Sequence, residues 1–593
     1  MTKDNAIPSD QRGELLYNGI RLPAQWPPRA VDRSGPRSAP YLSDPPEVIP
    51  IDVGRQLFVD DFLIEASDLE RTYHRPTIDA RGPVFKPETK LELEGVIPGG
   101  DPAMYMRDLG LPWSAGDAAM DRVPQRSVAA PNSGGVWFDP QDRLFKMWYM
   151  AGWFSAIAYA TSADGIIWER PPLEFVPGTN ALFEDMGHTD STLVWLDHDA
   201  ADAEERFKLS IYRKGPRRRM EFCTSPDGIH WRIRSCVYYK YDPLGTVPQL
   251  QYSSLDGVNW SAEDVVSRLD DRTTFFYNPF RQKWVYSIRA GNIAGVRTRH
   301  YREHDDFVEG AKWTDDNAVY WTAADELDLP EPGIDQAAQL YNVDAVAYES
   351  VMIGLFAIFR GPDNATAFEL NVPKLNDLSI AFSRDGFHWD RPDRRHFIAG
   401  SRQPGEWNRA YIQSAGGCCL VVGDELRFYF SVFSGVCPDG RADLYAGGST
   451  GLAVLRRDGF ASMDACAGAG TLTTRPVTFG GKYLFVNADT SGGRLEVELL
   501  DREGRVIEPF TRKGCVPVAA DVTRQQVTWV SVQDLSAVVG QPVRFRFHLN
   551  AGRLYAFWVS PDPSGASHGY VAAGGPGFTG ATDTAGAAAN TDA

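Results

Sequence analysis

One layout recurs along this chain: a polar head, an apolar run of β-type residues, a tight turn and a returning run. Its clearest copy is Asp270-Asp271-Arg272-Thr273-Thr274-Phe275-Phe276-Tyr277-Asn278-Pro279, answered by Trp284-Val285-Tyr286-Ser287-Ile288. Two carboxylates and an arginine open it, and an Asn-Pro turn ends it. Four more copies have their heads at Asn132, Asp190, Asp344 and Gln413, at intervals of roughly 60–80 residues, in the range of propeller repeats. A second motif, Ser-x-Asp-Gly-x-x-Trp, closes the third strand of several copies. It starts at Ser162, Ser225 and Ser383, with a further copy at Ser254 and a relic in Asp458-Gly459-Phe460. Asp-Gly makes the tight turn because Gly takes positive φ at little cost, and the Trp is placed to wedge between neighbouring sheets. One such motif says little. Several in phase with inner hairpins predict an all-β chain built on a five-bladed β-propeller.

After Gly468 the pattern changes to alternating strands separated by Gly or Asp turns, which predicts a C-terminal β-sandwich. The expected organisation is an extended arm over 1–50, a propeller with an N-terminal rim segment over 51–468, a sandwich over 469–562 and a disordered tail over 563–593. The tail is assigned on its lack of apolar mass. Aromatics at 12%, with 55 Gly and 40 Pro, suit short strands, many turns and aromatic-walled sites for sugars. A net charge of -18 argues against nucleic acid or an anionic membrane as partner. Met1-Thr2-Lys3-Asp4-Asn5-Ala6 lacks an apolar signal core, so a cytoplasmic location is expected. The 7 cysteines include no Cys-x-x-Cys and read as buried thiols in a reducing compartment.

Aligned on their hairpins, the five heads place Asn132, Asp190, Asp271, Asp344 and Gln413 at one equivalent position. Innermost strands of a propeller line a central funnel, so three carboxylates should meet there. Carboxylates held close together cannot all ionise normally, and their pKa values split. Glycoside hydrolysis needs that split, one group to protonate the leaving oxygen and another to attack or to activate water. Glu349 is a further candidate acid, unless it belongs to the Glu349-Ser350 hairpin turn and faces away. Arg272 would lower the pKa of Asp271 or simply pair with it. His188, Tyr341, Trp407 and Arg409, with Asn132 and Gln413, supply stacking surfaces and donors for sugar hydroxyls, and Asp60-Asp61 could reach the site from the N-terminal segment. No cofactor is required for this chemistry, though clustered carboxylates would suit a structural Ca²⁺.

These features resemble the glycoside hydrolase family 32 and family 43 superfamily. More narrowly, Asp271-Arg272-Thr273-Thr274-Phe275-Phe276-Tyr277-Asn278-Pro279-Phe280, Tyr341-Asn342-Val343-Asp344-Ala345-Val346-Ala347-Tyr348-Glu349-Ser350 and Leu455-Arg456-Arg457-Asp458-Gly459-Phe460-Ala461-Ser462-Met463 resemble bacterial family-32-like proteins. The resemblance implies a glycosidase acting on a furanoside or short oligosaccharide. Asp271 would be nucleophile or base, Asp344 or Glu349 the acid, and Asp190 the pKa tuner. The chain departs from the family 32 motifs in having Asn132 at the first head, no Arg-Asp-Pro around Asp190, and no Glu-Cys. Two other readings stay open, a carbohydrate-binding propeller without hydrolysis and a glycoside phosphorylase.

Overall fold

The computed structural model describes residues 13–29, 35–95, 127–184, 189–213, 219–239, 265–267, 269–293, 296–370, 372–437, 440 and 445–590. Five small antiparallel sheets form a ring. Blade 1 is Ala129–Asp139, Leu144–Ala151 and Ala156–Ser162. Blade 2 is Thr189–Leu196, Phe207–Arg213, Arg219–Ser225 and Arg232–Tyr239. Blade 3 is Thr274–Asn278, Lys283–Ile293, Val296–His304 and Val319–Ala323. Blade 4 is Gln339–Glu349, Val351–Gly361 and Leu375–Ser383. Blade 5 is Ala410–Ser414, Glu425–Phe433 and Gly448–Arg456, and Thr77–Ile78 from the N-terminal segment adds its outer strand. Both faces of a blade pack on neighbours, which is why Val351–Gly361 is buried throughout and reads as a nearly unbroken apolar run.

Three Ser-x-Asp-Gly turns, those of blades 1, 2 and 4, each join a blade to the one before it. Ser162 Oγ accepts from the Gly165 amide at 2.8 Å, and Asp164 accepts from the amides of Ile166 and Ile167. The turn carbonyls then accept from aromatic side chains of the preceding blade. Tyr429 of blade 5 donates to Gly165 at 2.7 Å, Trp148 of blade 1 to Gly228 at 2.7 Å, and Trp321 of blade 3 to Phe387 at 2.8 Å. Blade 1 thereby closes on blade 5. The motif tryptophans add edge contacts across the same seams, Trp168 to Tyr429 and Trp389 to Trp321. The copy starting at Ser254 lies outside the described residues. Gly228 has φ of +81°, and a Cβ there would sit 2.5 Å from Trp148 Cζ2. Gly228→Ala should therefore cost roughly 2–4 kcal/mol, from the left-handed backbone and the overpacked seam together. A urea midpoint equal to that of the parent would contradict this account of the seam.

The β-sandwich is built on one eight-stranded sheet around a second hydrophobic core, with Arg544–Ser560 as its central strand. Its boundary corrects the expectation. Ala461–Thr474 is one continuous strand of this sheet and crosses residue 468. Gln56–Leu57, Ile64–Ser67 and Glu70–Tyr73 join the same sheet, so most of the expected propeller rim belongs to the sandwich. The described part of the expected extended arm packs on the propeller. Tyr17 stacks on Phe280 of blade 3 at 4.2 Å, and Asn18 donates to the Arg384 carbonyl beside blade 4.

Residues 563–590 of the expected disordered tail are folded against the ring. Tyr570–Val571 pairs with the hairpin end of Gln339–Glu349, and the next residues cross the lower face of the ring. Phe138 of blade 1 donates to the Ala573 carbonyl, Ala572 donates to Ala347 of blade 4, and Val421 of blade 5 donates to Gly574. Tyr570 packs edge-on against Phe280 of blade 3 at 5.0 Å. Small residues make this approach possible. A Cβ on Gly575 would lie 1.7 Å from the Val421 carbonyl oxygen, and one on Gly569 would lie 2.1 Å from Glu349 Oε2. The composition that suggested disorder is what close backbone packing requires.

Candidate functional site at the head end

The tail covers the hairpin end, and the opposite, head end of the inner strands carries Asn132, Asp190, Asp271, Asp344 and Gln413. Four of the five inner strands are irregular there. Register shifts interrupt the pairing between Ala130 and Gly135, opposite Asp190, between Leu340 and Asn342, and between Ala410 and Gln413. Asn132, Ser133, Arg272 and Tyr411 have φ of +47°, +71°, +60° and +58°. Bulges of this kind turn side chains out of the strand alternation and leave carbonyls without ladder partners.

Side chains take up the freed groups and tie the blades together. The Arg272 guanidinium donates to the Asn132 carbonyl at 2.6 Å, and its amide donates to Ser191 Oγ at 3.1 Å, linking blade 3 to blades 1 and 2. Thr274 Oγ1 donates to the Val343 carbonyl at 2.6 Å. Arg299 donates to the carbonyls of Arg272 and Tyr341. Asp344 is 1% exposed and accepts through Oδ2 from Ser133 of blade 1 at 2.9 Å, Ser414 of blade 5 at 2.5 Å and Asn342 at 3.0 Å.

Asp271 and Asp270 both pair with Arg289, the latter at 3.2 Å. Burial pulls the Arg289 guanidinium down, but Asp270, with Tyr341, Tyr212 and Asp190, holds it above its ordinary value. Asp190 thus lies within electrostatic reach of the same arginine. Burial pushes the Asp344 carboxyl up, against the Ser414 and Ser133 hydrogen bonds and the Arg272 and Arg299 charges. The site therefore holds an ion-paired carboxylate, Asp271, and a carboxyl biased toward its protonated form, Asp344. Asn132 Oδ1, Asp344 Oδ1, both side-chain polar atoms of Gln413, and Nε and Nη2 of Arg272 are buried without a hydrogen bond to a protein atom. Orphaned polar atoms from four blades around one axis are what a polar ligand would satisfy.

Three expectations need correction. Asp344 is not equivalent to Asp190. The bulge in blade 4 leaves Tyr341 unpaired at the mouth, as the bulge in blade 2 does Asp190, so Asp344 sits three residues further down its strand. Glu349 is not in the site. It occupies the opposite, hairpin end with no exposed surface, paired to Arg55 at 3.4 Å and Arg457 at 3.3 Å. Asp60 is likewise spent on Arg384 at 2.8 Å.

Of the remaining candidates, Tyr341 is at the mouth, its hydroxyl 3.0 Å from that of Tyr411. Trp407 stacks on Phe430 at 6.5 Å, and Arg409 lies beside Gly435. Among the described residues no contact joins either to the carboxylates. His188 lies outside the described residues. Among the described residues no group of three His, Cys, Asp or Glu side chains is arranged to hold a metal such as the structural Ca²⁺ that clustered carboxylates would suit. A groove of about 620 Å³ between the outer parts of blades 3 and 4, lined by Tyr320, Asp325, Trp389 and Arg394, includes none of the head positions. No described helix is long and apolar enough to cross a membrane.

Arg289, Arg297 and Arg299 are functional candidates that reading the sequence did not single out. The signal was present, since Arg297 and Arg299 alternate on one face of a strand and Arg289 faces Arg299 across the ladder.

No protein-family model matches the chain, and no curated protein matches it. Solved structures similar to it include a glycosyl hydrolase from Bacteroides ovatus, at 12% identity over 68% of this chain and 97% of that one, with a TM-score of 0.35. A thermostable family-43 glycoside hydrolase matches at 10% identity over 56% of this chain and 95% of that one, with a TM-score of 0.34. An exo-inulinase from Aspergillus awamori matches at 10% identity over 74% of this chain and 98% of that one, with a TM-score of 0.30. The architecture given above rests on the strand pairing itself.

Proposed function

We propose that the chain is a glycoside hydrolase whose site is the head end of the propeller. The observation that supports this reading is the pairing of Asp271 with Arg289, with Asp190 within electrostatic reach of the same arginine, and Asp344 within reach of Arg272 and Arg299. In the proposed reaction Asp344 donates its proton to the leaving glycosidic oxygen. Asp271, paired with Arg289, attacks the anomeric carbon or activates water. Asp190 adds negative charge beside Arg289 and tunes both. The substrate class is a furanoside or short oligosaccharide, and the reaction requires no cofactor.

A second reading, a carbohydrate-binding propeller without hydrolysis, is favoured by two features. Asn132 stands where blade 1 would offer a carboxylate, and Asp190 and Asp344 are only 3% and 1% exposed. Screening the full chain against aryl glycofuranosides and glycopyranosides separates the two. Turnover of at least one aryl glycoside, lost in Asp271→Asn, supports the hydrolase. Saturable sugar binding with no turnover of any of them supports the binding module.

A further inference from the structure

Four arginines, Arg272, Arg289, Arg297 and Arg299, crowd one tyrosine. The guanidinium carbons of Arg272 and Arg297 lie 6.0 and 5.4 Å from the Tyr341 ring centre. Arg299 donates to the Tyr341 carbonyl. Arg289 and Arg299 stand directly opposite each other on neighbouring strands, an arrangement that is unfavourable for like charges. Only Arg289 has carboxylate partners. Among the described residues no carboxylate lies within salt-bridge distance of Arg272, Arg297 or Arg299.

The bulged strands account for two of these. Arg272 and Arg299 bond the carbonyls of Asn132, Arg272 and Tyr341 that the bulges free. Arg297 serves no such carbonyl. It bonds the Gln339 side chain, stacks at 4.8 Å on Phe359, and keeps a buried Nε without a partner. It is half-buried, so a ligand at the mouth can reach it. Burial and the neighbouring Arg289 press the Arg297 guanidinium below its ordinary value, and the same two causes bring Arg299 down to about 9. Asp270 acts on Arg297 and Asp344 on Arg299 in the opposite sense without outweighing burial and Arg289, and neither carboxylate is within salt-bridge distance of them.

We propose that the head end recognises an oxyanion, either a carboxylate carried by the sugar or a phosphate, with Arg297 as the contacting group and Arg272 and Arg299 as fixed positive charge behind it. The planar guanidinium suits bidentate contact with such groups. The inference rests on the proposed reading of this end as the sugar site, and it deepens that reading by naming an acidic or phosphate-dependent substrate.

Calorimetric titration of the full chain at low ionic strength tests it, with D-glucuronate, inorganic phosphate and D-glucose as probes. The expected result is binding of glucuronate or phosphate at least tenfold tighter than glucose, and a loss of tenfold or more in Arg297→Gln. Arg297→Lys, which keeps the charge without the fork, should retain part of the affinity and serves if the Gln variant does not fold. Preference for glucuronate alone assigns the charge to the sugar; preference for phosphate alone assigns it to a co-substrate. Equal binding of glucuronate, phosphate and glucose overturns the proposal, as does parent-like anion binding by both variants. Turnover does not enter the readout. A chain that binds anions but cleaves nothing sinks the hydrolase reading alone, and a hydrolase indifferent to charge sinks this inference alone.

Discussion

Asp344→Asn and Asp271→Asn should each lower turnover of an unactivated glycoside by about 10²–10⁴-fold, and a good leaving group should tell them apart. Asp344 is nearly isosteric with asparagine and is biased toward its protonated form by burial. The amide can keep the Ser133 and Ser414 contacts while losing the proton that the leaving oxygen needs. A nitrophenyl leaving group needs little protonation, so it should restore much of the Asp344→Asn rate and none of the Asp271→Asn rate. The pH profile follows from the same shift. Asp344 donates only while protonated, so parental kcat should fall as pH rises through a pKa above the ordinary carboxylate range. That limb should be missing from the residual rate of Asp344→Asn. Stability carries the matching sign. A raised folded pKa contributes stability below the unfolded value and loses it as pH rises through the folded value. Asp344→Asn should therefore equal or exceed the parent in stability at alkaline pH. Full retention of turnover in Asp344→Asn, or leaving-group rescue of Asp271→Asn, would reverse the assigned roles or remove them.

The parts of this fold that could be read from sequence are those encoded locally. Apolar β-type runs ended by tight turns mark the inner hairpins and Asp-Gly turns follow the third strands, so five blades and their order are visible in the chain. The parts that could not be read depend on partners far away. A bulge adds a residue to an inner strand without disturbing the apolar pattern on either side. Counting back from the hairpin turn therefore placed Asp344 level with Asp190, when Tyr341 holds that position. Glu349 looked like a spare acid because Arg55 and Arg457, which neutralise it, are 294 and 108 residues away. The tail looked unable to fold because its Gly and Ala residues bury little apolar surface by themselves. Their use is to let the backbone lie against Val421 and Glu349, and nothing near them in the sequence says so.

Arg457→Ala should be the most damaging single substitution outside the head end, costing about 3–5 kcal/mol. Arg457 lies in a network with 0–1% side-chain exposure throughout, which joins four parts of the chain. Arg55 of the N-terminal segment pairs with Asp458 at 2.8 Å and with Glu349 of blade 4 at 3.4 Å. Arg457 pairs with Glu349 at 3.3 Å and with Asp583 of the tail at 3.2 Å. Tyr348 and the sandwich residue Asn487 also donate to Asp458, at 2.6 and 2.9 Å. Two arginines thus serve three buried carboxylates, and removing one leaves Glu349 and Asp583 with too little positive charge. The tail should loosen first, because Asp583 depends on Arg457 for its closest ion pair. Arg457→Ala should accordingly lower the urea midpoint and open the chain to protease beyond Ser560, whereas adding Asp583→Asn should recover part of the loss by removing one uncompensated charge. The pH dependence has two signs. Burial raises Asp458 and Asp583, but Arg55 and Arg457 outweigh it and hold both below the ordinary range. Their contribution is present above the unfolded pKa and is lost as pH falls through the depressed values. For Glu349 burial outweighs Arg55 and Arg457, so its pKa is raised, and its contribution is lost as pH rises through that raised value. The parent should therefore lose stability on both sides of an optimum, with the steeper loss in acid, where two groups act together. If Arg457→Ala kept the parental midpoint and a protected tail, the network would not be what fastens the tail across the ring, and the backbone contacts of Ala572, Ala573 and Gly574 would have to hold it alone.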